Sequence, residues 1–334
     1  MSITSPLDVS VLASCKGLLF LDFHQVRAFC IFNPTTVAHQ LIPYPEPINY
    51  FKIIESEDGG EGLLVDYPNS GQYKLVIVRK LDDQPRGGYI FNVFSSSCAG
   101  LMWHESQFRS KFCNALLIGH AVYLHGCLHW LRSDGNVVVF DTTGGHRIIN
   151  MPEVIKSYVR DPLYGIISFR FHSWMGVTRG LLTLVCAFEK LIVIFTYDYY
   201  VSSNNWTVSH TLANFNPADL GFLDHGVPMW FDGEKLLFLV RHWSESKSGY
   251  LYEYDYDSEI KKVHDHVILD IDTIKHFFSF EPTLANVVVP LLPHKIRAEY
   301  RRDIATTLGE LKCLLTDKST VTEERPVNKF PYLN

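Results

Sequence analysis

The sequence has no run of Lys and Arg, and no Gly-rich or aromatic stretch interleaved with basic residues. At a net charge of −6 it lacks the basic footprint that nucleic-acid binding needs. No stretch approaches the roughly 18–20 apolar residues that cross a bilayer, so neither nucleic acid nor membrane is an expected partner. The opening MSITSPLDVSVLASCKG lacks the charged segment and apolar core of a signal peptide. The seven cysteines, at 15, 30, 98, 113, 127, 186 and 313, are odd in number and never spaced as CxxC. They read as reduced thiols filling a core. Asn205-Trp206-Thr207 is formally a glycosylation sequon, incidental without a secretory signal. The expected location is the cytoplasm, the nucleus or both.

Catalytic signatures are missing as well. G-x-S-x-G, H-E-x-x-H, the P-loop and G-x-G-x-x-G do not occur. Asp22, His24, Asp66, His172, Asp224 and His225 can be grouped into a triad on paper, but fifteen histidines make such groupings easy to find. Glu55-Ser56-Glu57-Asp58 reads as a solvated loop. His120, His125 and His129 beside Cys127 invite a metal site, yet zinc needs three or four converging ligands. On a strand reading His125 lies at a hairpin, and His129 is a packed residue with its ring nitrogens tied to backbone. No enzyme activity, no cofactor and no metal are expected.

What is present is a repeated unit. With 334 residues, 47% of them hydrophobic, the chain can bury a large core. Its dominant pattern has period two and is filled by Val, Ile, Leu, Phe and Tyr, which marks strands. Residues 121–152 give four: AVYLHG, CLHWLR, NVVVFDT and HRIINMP, with turns at Gly126, Ser133-Asp134-Gly135 and Thr143-Gly144-Gly145. The cycle recurs at 9–43 (VSVLASC, GLLFLDF, RAFCIFNP, AHQLIP), 62–106 (GLLVDYP, YKLVIVRK, YIFNVFSS, GLMWHES), 164–212 (YGIISFRFH, LLTLVCAF, LIVIFTYD, WTVSHTL) and 227–266 (VPMWFDG, EKLLFLVR, GYLYEYDYD, EIKKVHDH). A partial sixth copy, FFSFEPTLANVVVP, spans 277–290. The third-strand markers Phe32, Phe94, Phe140, Phe195 and Tyr254 lie 62, 46, 55 and 59 residues apart, each interval long enough for one four-stranded sheet and a loop.

Strands such as LLFLDF, NVVVF and LIVIF are apolar on both faces, as sheets stacked between two neighbours must be. A sandwich would keep one polar face. The expected fold is therefore all-β, a β-propeller. Five or six blades fit the length, and six in a ring closed by strands from both termini is the reading adopted, over residues 1–293. From 294 to 334 the character changes. KIRAEYRRDIATTLGELKCLL sets Ile304, Leu308, Leu311 and Leu315 at helical spacing, which predicts an amphipathic helix over about 295–315 packed on the propeller, then a polar tail. LKCLL also fits a Leu-x-x-Leu-Leu docking pattern, although packing alone accounts for its leucines.

ASCKGLLFL, FCIFNPTT with LIP, YKLVIV, FNVFSS with Trp103, and VYLHGCLHWLRSDGNVVVFDT with IINMPE occur in an order that resembles the associated domain of plant F-box proteins, of kelch-like propeller type. In that family the corresponding stretches are Ser-Cys-Asn-Gly-Leu-Leu, Trp-Asn-Pro-Ser/Thr, and Asn-Gly-x-Leu-His-Trp-Leu ending in Phe-Asp. Here Lys16 and His125 replace the Asn before Gly17 and Gly126, and Ile31-Phe32 replaces Leu-Trp. PTLANVVVP is similar to the family's closing Glu-Ser-Leu-Val-x-Pro. The resemblance is good over 11–153 and faint over 160–290. It implies recognition of a target protein, which relatives pass to a cullin–RING (SCF) ubiquitin ligase through a preceding F-box. The thirteen residues before Ser14 hold no F-box, so the SCF adaptor is an expected partner only if a relative or a missing exon supplies one. Without it the chain would be a stand-alone interaction or scaffold propeller, with a propeller enzyme as the less favoured alternative.

Partner-facing residues are expected in the long connections 44–60, 106–119, 151–163 and 213–226 and near His242-Trp243. Aromatics and Arg make interface hot spots. From Tyr44, Tyr50, Phe51, Phe108, Arg109, Tyr158, Phe215, Phe222 and Trp243, the candidates selected for partner binding are Tyr50, Phe108, Arg109 and Trp243.

Overall fold

In a computed structural model, the structure describes residues 7, 9–45, 60–66, 68–70, 72–81, 88–97, 102–109, 115–141, 143–152, 155, 173–188, 191–199, 205–213, 227–241, 248–255, 261–262, 269–270, 287 and 298–316. Five antiparallel sheets follow one another along the chain, each built of strands in sequential order. The first has β1 (Val9–Cys15), β2 (Leu18–Phe23), β3 (Ala28–Phe32) and β4 (His39–Pro43). The second has β5 (Gly60–Val65), β6 (Tyr73–Leu81), β7 (Gly88–Ser95) and β8 (Trp103–Arg109). In the third are β9 (Leu117–Leu124), β10 (Cys127–Arg132), β11 (Val137–Asp141) and β12 (His146–Ile149). The fourth contains β13 (Ser173–Thr178), β14 (Leu181–Phe188), β15 (Leu191–Tyr197) and β16 (Trp206–Ala213). The fifth holds β17 (Val227–Phe231), β18 (Lys235–Arg241), β19 (Ser248–Asp255) and β20 (Lys261–Lys262), with β21 (Leu269–Asp270) also pairing β19. Among the described residues one α-helix, α1, spans Ala298–Thr316.

The fold class is all-β, of the propeller type, with five blades and a C-terminal helix. Among the described residues five sheets form, not six; of the partial sixth copy at 277–290, only residue 287 is described. The expected first strand of the fourth sheet, 164–172, lies outside them, and the strand paired with β14 is Ser173–Thr178. Of the expected fourth strand of the fifth sheet, 259–266, only Lys261 and Lys262 are among the described residues, and both pair with β19. All five third-strand markers do fall in third strands.

The chain divides into two compact units, one with sheets one and two and α1, the other with sheets three to five. Within the first, β1 packs against β5; within the second, β13 packs against both β9 and β17. First strands thus meet first strands, as propeller blades require. The fourth sheet shows why its strands are apolar throughout. Leu184, Cys186, Val193 and Phe195 join the third sheet's Leu131, Val137 and Val139 in one core. Their alternates Val185, Ala187, Ile192 and Ile194 join Phe231, Leu236 and Phe238 of the fifth. Period two sends neighbouring residues to opposite faces, and both faces are covered.

In the first unit the odd-numbered Leu19, Leu21 and Phe23 share a core with Ile304, Leu308 and Leu311 of α1, against which Leu315 also packs. Two leucines of LKCLL are thus spent on the sheet. Burying three large aliphatic side chains of α1 contributes on the order of 5–8 kcal/mol before entropy.

Two-residue hairpins join the first two strands of sheets one, three and four. Lys16-Gly17, His125-Gly126 and Arg179-Gly180 have φ of 48° and 73°, 49° and 76°, and 52° and 78°. Both central residues are left-handed, the type I′ pattern that matches strand twist. The asparagine usual before Gly17 and Gly126 in the resembled family suits this conformation; Lys, His and Arg occupy it at a cost.

Candidate functional site

A cleft of about 660 Å³ opens within the second unit, at the outer strands of sheets three and four. One wall is β12 and the residues after it, Arg147 to Pro152. The other is Phe195 and Tyr197 of β15 with Asn205, Trp206 and Val208. Phe195 and Tyr197 alternate on one strand, as do Trp206 and Val208, so this wall is a sheet face. On it Tyr197 and Trp206 are cross-strand partners with rings 5.3 Å apart, a pairing that strengthens the sheet locally. The indole Nε1 of Trp206 donates to the Asn150 carbonyl at 2.8 Å, fastening one wall to the other.

The same device joins sheets one and two. Trp103, first residue of β8, pairs across from Phe94 with rings 5.6 Å apart, and donates Nε1 to the Pro43 carbonyl at 2.9 Å. Trp103 and Trp206 are thus equivalent clamps at the start of fourth strands, each reaching the end of the preceding sheet's last strand.

Behind the cleft sits Tyr199, whose ring lies 5.0 Å from that of Tyr197. The Arg147 guanidinium lies 4.9 Å above the Tyr199 ring, a cation–π contact. The Tyr199 hydroxyl donates to Nε2 of His129, and His129 Nδ1 donates to the Val122 carbonyl at 3.1 Å. Burial first, then the Arg147 and His125 charges, pushes His129 down to about 4, against the upward pull of the Val122 bond. It is a neutral imidazole at physiological pH. The expectation for His129 is therefore half met: one ring nitrogen is tied to backbone, the other to a tyrosine. Burial also raises the Tyr199 hydroxyl above the usual phenol range, opposed by Arg147.

His125 is exposed at its hairpin and His120 is half-buried on β9. Among the described residues no group of three or more His, Cys, Asp and Glu is placed to hold a metal. Cys15, Cys30 and Cys186 are buried and unpaired with one another, and burial raises all three thiols, Cys15 to about 12.

Of the triad candidates, Asp22 and His24 come together, joined by Ser10. His24 Nδ1 is 3.1 Å from Asp22 Oδ2, and Nε2 is 3.3 Å from Ser10 Oγ. The nitrogen assignment is that of a hydrolase triad, but the placement differs. Ser10 and Asp22 are direct partners across one ladder, so the imidazole caps both instead of being strung between them. Fully buried Asp22 also accepts the Tyr44 hydroxyl. The cluster ties β1, the turn after β2 and residue 44 together, and none of its members lines the cleft. Asp66 is held in a turn by Asn69 and Ser70; His172, Asp224 and His225 lie outside the described residues.

Of the partner-binding candidates, Tyr50 and Trp243 lie outside the described residues. Phe108 and Arg109, expected in a loop, are the last two residues of β8. Phe108 is half-buried opposite Tyr89, while Arg109 is exposed opposite Gly88. Sequence reasoning missed Arg147, Tyr197, Tyr199 and Trp206 because it sought hot spots in connections only. The aromatic run Tyr197-Asp198-Tyr199-Tyr200 and the recurrence of Trp at the start of a fourth strand were the available signals.

No family model matches the chain. Two curated proteins of Arabidopsis thaliana are similar to it. One is named as an F-box protein, 23% identical over 295 residues, covering 83% of this chain and 66% of its own length. Another is named as an F-box/kelch-repeat protein, 23% identical over 285 residues, covering 84% of this chain and 59% of its own length. The chain spans less than two thirds of the length of either. Among solved structures, a luciferin-regenerating enzyme aligns with a TM-score of 0.42 and 7% identity, over 78% of this chain and 79% of its own.

Proposed function

We propose that this homologue of Arabidopsis F-box and F-box/kelch-repeat proteins is a non-enzymatic propeller that recognises a target protein, with the cleft between the third and fourth sheets as its recognition site. The observation that carries the reading is the cleft's composition. Trp206, Tyr197 and Arg147 are the residue types that anchor protein interfaces, and they stand on strands clamped to one another, which limits the entropy lost on binding. Exposed Val208, at 56% of its surface, adds an apolar contact beside them. Phe108 and Arg109 on β8 form a second candidate surface. Delivery of the bound target to an SCF ubiquitin ligase, by an F-box on the same polypeptide or on a relative, completes the proposal.

The test is affinity purification of the tagged chain from plant lysate, alongside Val208→Glu and Arg109→Glu chains. Proteins retained by the wild type and lost with Val208→Glu would be the targets. Co-purification of the adaptor and cullin would support ligase coupling; their absence beside a retained target would leave a recognition or scaffold module. A wild-type chain that captures nothing beyond what Val208→Glu captures would refute recognition through the cleft.

A further inference from the structure

The two walls of the cleft are built differently. On the β12 wall, consecutive residues from Arg147 to Met151 line it, which a strand face cannot do. Ile149 and Met151 belong to the core shared with the fourth sheet, and Arg147, of the same parity, reaches Tyr199. Ile148 and Asn150 have the opposite parity, so their side chains point to the other face. What they present to the cleft is backbone.

The register says which backbone groups are turned outward. Asp141 N donates to the Gly145 carbonyl at 3.0 Å, making these a hydrogen-bonded pair. Bonded and non-bonded pairs alternate along an antiparallel ladder. Val139–Arg147 and Val137–Ile149 are then bonded pairs, and Val138–Ile148 is not. The N–H and C=O of Ile148 are directed away from β11, on the outer edge of the strand that is outermost in the sheet among the described residues. Asn150 follows the same alternation, and its outward carbonyl is the one Trp206 takes. The rung at Ile148 opens beside the cleft.

Among the described residues the lining has one formal charge: Arg147, which is exposed, with no carboxylate beside it in the lining. We infer that the cleft binds an extended segment of the partner protein by adding it as a short strand to the edge of β12, hydrogen-bonded to Ile148, with an Asp or Glu of that segment against Arg147 and an apolar side chain against Val208 and Trp206. This is strand addition, in which the edge supplies backbone bonds and alternate side chains supply selectivity. The inference rests on the protein-recognition reading and adds the chemistry of the segment recognised.

The test uses the full chain and a phage library of random linear dodecapeptides, followed by synthetic versions of the selected peptides. Enriched sequences should share an acidic residue near an apolar one. Arg147→Glu should weaken the synthetic peptides by about tenfold or more, and Asp→Lys in the peptide should restore binding to the Arg147→Glu chain. Scanning single backbone N-methyl groups along the peptide should abolish binding at alternate positions, as only one strand edge pairs. Failure to enrich any peptide, enrichment of peptides indifferent to Arg147→Glu, or tolerance of N-methylation at every position would each overturn strand addition here. If a target protein from the lysate still binds the Arg147→Glu chain but not Arg109→Glu, recognition stands and only its assignment to this cleft fails.

Discussion

Acid should weaken the third sheet through one residue, and the size of the effect follows from its surroundings. Buried His129 has its pKa pushed to about 4, against 6.5 for an exposed imidazole. Between those values the unfolded chain takes up a proton that the folded chain refuses. The stability supplied by the neutral ring is complete above pH 6.5 and is lost as pH falls through 6.5 toward 4. The full difference is about 3 kcal/mol, of which about 2 kcal/mol is gone by pH 5. Other histidines and carboxylates titrate over the same range, so the measurement is a double difference. In His129→Asn the side-chain amide keeps a donor for the Val122 carbonyl but has no site that titrates. Urea unfolding of both proteins at pH 7.5 and pH 5.0, followed by tryptophan fluorescence, should show the wild type's advantage shrinking by about 2 kcal/mol at the lower pH. An advantage that stays the same at both pH values would refute the assignment of a neutral, dry imidazole.

Other perturbations probe different parts of the fold. Tyr199→Phe removes the donor to His129 Nε2 and should cost about 1–3 kcal/mol at pH 7.5 in the same urea assay. Trp130 is fully buried on β10; Trp130→Ala should cost about 3–5 kcal/mol, and a near-neutral result would count against the blade register. The Arg132 side chain is also fully buried, 2.7 Å from an Asp134 carboxylate that is one third exposed. Asp134→Ala should destabilise by about 2–4 kcal/mol by stripping that carboxylate from a buried guanidinium, with water softening the loss. Lys16→Asn should raise stability by about 0.5–1 kcal/mol, since Asn tolerates the left-handed turn better. Arg179→Asn should gain less, because Arg179 bonds the Gly233 carbonyl and Glu234 across to the fifth sheet.

The repeat was legible because burial on both faces leaves a dense apolar trace. Val185 and Ile194 serve one neighbour, Leu184 and Phe195 the other, and the sequence shows unbroken runs where they lie. The type I′ turns at Lys16-Gly17 and His125-Gly126 were legible as X-Gly pairs, and α1 as four leucine-type residues at helical spacing. The first strand of the fourth sheet was misplaced because SWMGVT, with Ser, Gly and Thr, is a poorer strand by composition than the preceding YGIISFRFH. Its place is decided by the six cross-strand pairs it makes with β14, a tertiary preference that overrides propensity. The cleft was illegible for another reason. Arg147 and Trp206 are 59 residues apart in sequence, and each looks ordinary on its own strand. Their meaning appears only when one sheet's edge is set beside the next sheet's face.

The two tryptophan clamps sharpen that point, since the same anchor serves two ends. Beside Trp103 the space is filled from within the first sheet: Phe29 meets it edge-on at 5.9 Å, and Tyr44 packs on Phe29 at 4.6 Å. The corresponding side of Trp206 is the cleft, with exposed Arg147 and Val208 at its mouth. Both indoles are half-buried, and what distinguishes them is what lies alongside, since each packed aromatic ring adds apolar area on top of the hydrogen bond. Trp206 keeps the hydrogen bond to Asn150 and leaves part of its ring uncovered, beside an edge strand with an outward-facing rung. The hydrogen bond holds this rim rigid beside the cleft, and a rigid rim is what the proposed recognition of a partner requires, since less freedom is then lost on binding.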